Sequence, residues 1–168
     1  MIIEDQSIIT HSEKQFINTV ILGGTIPFYW SKSQDHRDNK PFLYHTLIHR
    51  ETQQIHSEHA NFFKEIVKRF TTKHKLSCNV FLRGGINLTF PMEGKGFTHW
   101  DHTFPHQQVI IYLNQSEGGS TTILSEKNKI LKTIEPKQFK VISFNGKYPH
   151  YQTYPKKGRR MVAVVTFI

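Results

Sequence analysis

From Ser77 to the C-terminus the sequence is cut into short runs rich in β-branched and aromatic residues, each closed by a turn signal, and few architectures accept that spacing. The runs cover residues 79–83, 86–90, 108–113, 120–124, 130–134, 139–144 and 161–168. Gly84-Gly85, Gly118-Gly119, Glu126-Lys127-Asn128, Glu135-Pro136, Asn145-Gly146 and Lys157-Gly158 separate them. Strands this short at this interval predict a sandwich or small barrel. Ahead of them lies one amphipathic stripe. Ile55, His59, Phe62, Phe63, Ile66, Val67 and Phe70 recur at helical spacing, with Lys64, Glu65, Lys68 and Arg69 on the other side, which predicts a helix laid on a sheet. The expected class is therefore mainly β with a flanking helix, a jelly roll.

The N-terminal part is mixed. Residues 19–22 read as a short strand stopped by Gly23-Gly24, Pro27-Phe28-Tyr29-Trp30 is an aromatic stretch, and a polar loop spans 31–40. No repeat or linker divides the 168 residues, so a single domain is expected over 1–168. In it, 1–76 supports a jelly-roll core at 77–168. Cys78 is the one cysteine, which excludes an intramolecular disulfide and suits a reducing, cytoplasmic setting. No apolar run approaches the roughly 20 residues of a membrane span. The formal charge of +9 favours an anionic partner, with nucleic acid among the candidates. Only residues 156–160 form a true basic cluster.

Eleven histidines make four His-x-Asp/Glu triplets, at His11, His36, His56 and His99, so context has to choose among them. His11 lies in an expected frayed terminus. His36-Arg37-Asp38 spells a kinase triplet without the Gly-rich loop or spaced Asn that would support it. His56 and Glu58 fall on the expected helix, where residues two apart diverge. His99 and Asp101 lie on an extended segment, where residues two apart share a face and can bind one ion together. His150 follows a strand and turn and can enter from a facing strand. Two imidazoles and a carboxylate on one face of a metal are the facial triad of non-haem Fe(II) oxygenases, with the other positions left open. Arg160, ten residues after His150, begins the last strand and offers a fixed cation for a carboxylate. Its inward alternates are Val162, Val164 and Thr166, and Arg159 has the opposite parity. One of the two arginines is expected to face the pocket.

At these residues the chain resembles the Fe(II)/2-oxoglutarate-dependent oxygenase superfamily, in particular the prolyl-4-hydroxylase-like branch and the small oxygenases of phage and marine microbes. The pattern is His-x-Asp, a long gap, His, then Arg or Lys on the following strand. Arg83-Gly-Gly-Ile-Asn87-Leu88, Ile111-Tyr112-Leu113-Asn114 with Gly118-Gly119-Ser120-Thr121, and Phe144-Asn145-Gly146 are similar to flanking strands and turns of those enzymes. The resemblance covers about residues 19–168 and implies the double-stranded β-helix (cupin-like) fold. It implies Fe(II) on His99, Asp101 and His150, the C5-carboxylate of 2-oxoglutarate on Arg160 or Arg159, and ascorbate as an optional reductant. It also implies a dioxygenase that hydroxylates a peptidyl or amino-acid side chain and releases succinate and CO2. The last strand lacks the Arg-x-Ser pairing of some relatives, and Asn87 or Tyr112 are the candidates to assist Arg160. Two alternatives stand beside this reading: the same chemistry on a nucleic acid, and a non-catalytic cupin-like module that binds metal or nucleic acid. A hydrolytic zinc site would need a separate general base, which no second motif supplies.

Overall fold

The computed structural model describes residues 1–31 and 40–168. The loop expected at 31–40, with the His36-Arg37-Asp38 triplet, lies outside the described residues except at its two ends. Seven strands form one antiparallel sheet in the order β1 (Ile2–Asp5), β9 (Val141–Asn145), β5 (Gln107–Tyr112), β12 (Arg160–Phe167), β4 (Phe81–Thr89), β3 (Phe42–Ile48) and β2 (Tyr29–Ser31). A second sheet has the order β10 (His150–Gln152), β7 (Thr121–Leu124), β8 (Ile130–Ile134), and β11 (Pro155–Lys157) pairs with β6 (Glu117–Gly118).

Side-chain alternation divides the interior into two cores. On β12, Met161, Ala163, Val165 and Phe167 pack with Val109, Ile111 and Leu113 against the helices. Val162 and Val164 point the other way and join Ile110, Tyr112, Ile142 and Phe144 of the large sheet with Ile123 and Ile134 of the small one. A strand covered on both faces is buried along its length, as β12 is. This is the jelly roll, and its second core is the floor of the site.

The stripe at 55–70 folds as α2 (Ala60–Lys73), which buries Phe63, Ile66, Val67 and Phe70. Its first expected member, Ile55, stays outside the helix: it bridges Ile48 and remains exposed. His59 occupies the N-cap position.

Three sequence expectations are corrected. Residues 19–22 are not a strand. Thr10 and Glu13 close a reciprocal capping box that starts α1 (His11–Phe16), so His11 opens a helix rather than fraying, and the helix runs on as a π turn at Ile17–Ile21. Ile17 and Ile21, four apart, are both buried in the core, and that burial overrides the β preference of Thr19-Val20-Ile21. Second, 79–83 and 86–90 are not two strands around a turn but the single strand β4. Gly84 lies on Leu47 and Ile48, and a Cβ at Gly85 would sit 2.1 Å from the Tyr44 hydroxyl. The glycines admit close neighbours instead of breaking the strand. Third, β1 and β3 were not foreseen. β1 completes the sheet beside β9, and β3 pairs β4 with Tyr44 opposite Asn87.

Candidate active site

The inner faces of β3, β4, β12, β7 and β10 enclose a cavity of about 400 Å³, within the usual range for small-ligand sites. Register supplies its walls. Phe42, Tyr44 and Thr46 alternate inward from β3, Arg83 and Asn87 from β4, and Arg160, Val162 and Val164 from β12.

His99 and His150 form an antiparallel bridge, each backbone N–H donating to the other's carbonyl at 3.0 Å. Their ring centroids lie 4.5 Å apart. The chain bends after His99, and this bend, rather than a regular strand, returns Asp101 to the same place. One ligand atom from each of His99, Asp101 and His150 lies within 4.8 Å of the others. Trp100, between them, turns outward and donates its indole N–H to the Lys147 carbonyl at 3.1 Å. His102 also turns away, to the Thr166 hydroxyl at 2.8 Å. Its burial and the neighbouring His106 lower its pKa to about 4.

The electrostatics of the trio suit a cation. The His99 Nδ1 is used by the Phe97 carbonyl at 2.9 Å, which leaves Nε2 with its lone pair. Burial, and then the nearby His99, lower the His150 pKa to about 3, so its imidazole is neutral, as a ligand must be. For Asp101, burial acts upward on the carboxyl, but Arg83, with His150, His99 and Arg50, outweighs it and holds the group well below the usual range. Arg83 Nη1 donates to Asp101 Oδ1 at 2.6 Å. Asp101 Oδ2 is buried with no hydrogen-bond partner among the described residues and faces His150 Nε2 at 3.7 Å. An ionised carboxylate with one oxygen anchored and the other orphaned beside two imidazoles is unfavourable alone. A divalent ion bound there removes the penalty, so the residues fit a metal.

Arg160 lies 2% exposed in the cavity wall. It donates to the Gly119 carbonyl at 2.7 Å, Gln152 Oε1 at 2.6 Å and Thr121 Oγ1 at 3.0 Å. All three acceptors are neutral, and no carboxylate pairs with it among the described residues. Burial pulls its pKa down. Gly119, at φ +83°, makes room for it: a Cβ there would be 2.8 Å from Arg160 Cδ. Tyr112 lies behind the guanidinium, its ring 5.7 Å from Cζ, and donates its hydroxyl to Thr121 Oγ1 at 2.7 Å. It steadies Arg160 and does not line the cavity. Asn87 does line it, with its buried Oδ1 unpartnered. Arg159 is exposed outside the cavity and donates to the Leu22 carbonyl at 3.1 Å. Thr166, expected on the inward row of β12, instead meets His102.

Three residues escaped the sequence reading. Arg83 was quoted only as part of a strand motif, yet it anchors Asp101. Arg50 donates to the Asp101 backbone carbonyl. Gln108 is fully buried with Nε2 3.5 Å from His150 Nε2. Gln108 could have been found as a polar residue inside an apolar strand; Arg50 has no such signal.

No protein-family model matches the sequence, and no curated protein does. Solved structures do. A 2OG-Fe(II) oxygenase family oxidoreductase from Burkholderia pseudomallei superposes with a TM-score of 0.80 at 14% identity, over 99% of this chain and 84% of that one. The fold is that of the 2-oxoglutarate/Fe(II) oxygenases. A Trichoplax adhaerens prolyl hydroxylase, solved with a hypoxia-inducible-factor oxygen-degradation-domain peptide, gives 0.68 at 14% over 99% and 83%. A Pseudomonas putida prolyl-4-hydroxylase gives 0.59 at 12% over 99% and 91%. The oxygenase fold thus covers nearly the whole chain, at a sequence identity of only 12–14% to these structures.

Proposed function

We propose that the protein is an Fe(II)- and 2-oxoglutarate-dependent dioxygenase that hydroxylates a peptidyl or amino-acid side chain, releasing succinate and CO2. The observation that carries this reading is the pairing, in one cavity, of the His99, Asp101 and His150 trio with the buried, carboxylate-free guanidinium of Arg160. A buried cation without an anion is costly, and a dicarboxylate reaching from the metal side would supply one.

His99, Asp101 and His150 would hold the ion, and a ferrous ion with 2-oxoglutarate couples oxygen reduction to oxidation of a substrate C–H bond. The chain's own groups do the rest. Arg83 keeps Asp101 ionised and single-ended, so that one oxygen is presented. Arg160, backed by Tyr112 and Thr121, receives the C5-carboxylate, and Asn87 offers a further polar contact. Val162, Val164 and Ile110 form an apolar floor that keeps water from the reacting centre. The peptide bound to the Trichoplax relative supports a peptidyl substrate.

The test is turnover. With Fe(II), 2-oxoglutarate, ascorbate and O2, wild type should release succinate even without added substrate, at a slow uncoupled rate, and Asp101→Ala should release none. Equal succinate from both proteins would overturn the assignment.

A further inference from the structure

The cavity wall carries more cation than the metal and co-substrate need. Among the described residues, Arg50, Arg83 and Arg160 line it against Glu51 and Asp101, three guanidinium charges to two carboxylates. A ferrous ion and the 2-oxoglutarate dianion cancel each other, so the described wall of the loaded cavity keeps an excess of positive charge. In a confined site that excess selects the charge of what enters.

The three arginines are not equivalent. Arg83 is held on Asp101 at 2.6 Å, and Arg160 is enclosed by its three acceptors. Arg50, with its side chain 31% exposed, donates one N–H to the Asp101 backbone carbonyl. Its Nη2 stands 3.9 Å from Asp101 Oδ1, beyond a hydrogen bond, and its other N–H groups meet no acceptor among the described residues. One guanidinium edge matches one planar, singly charged group.

Resting on the oxygenase reading, we propose that the substrate carries a carboxylate and that Arg50 receives it at the cavity wall, beside Asp101. Two sources share this chemistry: an Asp or Glu side chain in a peptide, and the α-carboxylate of a free amino acid. A nucleic-acid strand is disfavoured because, among the described residues, several basic side chains beyond the cavity are already paired or lie apart from it. Lys68, Arg69 and Lys73 on α2 are paired with Glu65, Glu13 and Asp5. Lys156 is beside Glu117, and Lys157 and Arg159 lie outside the cavity.

The experiment uses the full chain, immobilised without oxygen and loaded with Fe(II) and 2-oxoglutarate. Four probes are offered: a degenerate pool of capped pentapeptides each holding one Asp or Glu, the same pool with Asn or Gln, a mixture of free amino acids, and an oligouridylate. Retention is read by mass spectrometry for wild type, Arg50→Gln and Arg50→Lys. Wild type should retain the acidic pool or the free amino acids about tenfold over the amide pool. That preference should vanish in Arg50→Gln and return in part in Arg50→Lys. The retained probe names the source. Retention of neither carboxylate probe above the amide pool, a preference that survives Arg50→Gln, or Arg50-dependent retention of the oligouridylate would each overturn the proposal. The visible metal-to-ligand charge-transfer band of the same wild-type sample reports the oxygenase reading separately. A missing band beside an Arg50-dependent acid preference would retire that reading while leaving a carboxylate site.

Discussion

Asp101 is gripped by Arg83 at one oxygen and open at the other, and the site depends on that asymmetry. Arg83→Met keeps most of the bulk but frees Oδ1. We expect it to weaken Fe(II) binding about 10- to 100-fold in a metal titration, the usual effect of losing a partner that orients a ligand; unchanged affinity would mean that Arg83 only packs. Arg160 and Arg159 give a sharper contrast. Arg160→Gln should raise the Kd for 2-oxoglutarate about 10- to 100-fold, since a charged hydrogen bond contributes about 1.5–3 kcal/mol. Arg159→Gln should leave that Kd alone, because Arg159 lies outside the cavity. His99, Asp101, His150 and Arg160 could be read from the sequence because each precedes or follows a recognisable strand. Arg50 and Arg83 could not be given roles in this way. Their meeting with Asp101 depends on the pairing of β3 with β4, and β3 itself shows no clean alternation of apolar and polar residues.

At the scale of the elements, the two glycines of β4 show how a local rule is overridden. Gly-Gly between apolar runs reads as a turn, yet here the strand continues and the missing Cβ at Gly85 gives the Tyr44 ring its place in the cavity wall. Gly85→Ala should therefore displace Tyr44 and cost about 1–3 kcal/mol in denaturant unfolding. An unaltered midpoint would show that Tyr44 moves without penalty. The π turn at Ile17–Ile21 follows the same logic. Its composition speaks for a strand, but the capping box at Thr10 and the burial of Ile17 and Ile21 make it a helix. The helix α2 and strands β5, β7 and β12 were legible because their apolar residues recur at helical spacing or form continuous buried runs. β1 was hidden by its shortness and its charged end, Glu4-Asp5.

For the molecule as a whole, buried neutral histidines tie stability to pH. His45 bonds the Pro27 carbonyl through Nδ1 and the Ser57 hydroxyl through Nε2, both at 2.8 Å, and burial holds its pKa below the usual value. Above about pH 6.5 the ring is neutral in both folded and unfolded chains, and its stabilising bonds are fully present. As pH falls below that value the unfolded chain takes up a proton first, so stability declines toward the lower folded pKa. The urea midpoint should drop between pH 7.5 and 5.5, and by less in His45→Gln. Equal drops in both proteins would assign the effect elsewhere. Among the described residues no helix is long and apolar enough to cross a membrane.

The central claim, one cavity holding both a ferrous ion and 2-oxoglutarate, is tested most directly by anaerobic titration of the protein with both while recording the visible charge-transfer band. The band should appear in wild type, be absent in His99→Ala, and require about 10- to 100-fold more 2-oxoglutarate in Arg160→Gln. Folded wild-type protein that takes up Fe(II) yet shows no band at saturating 2-oxoglutarate would contradict the account.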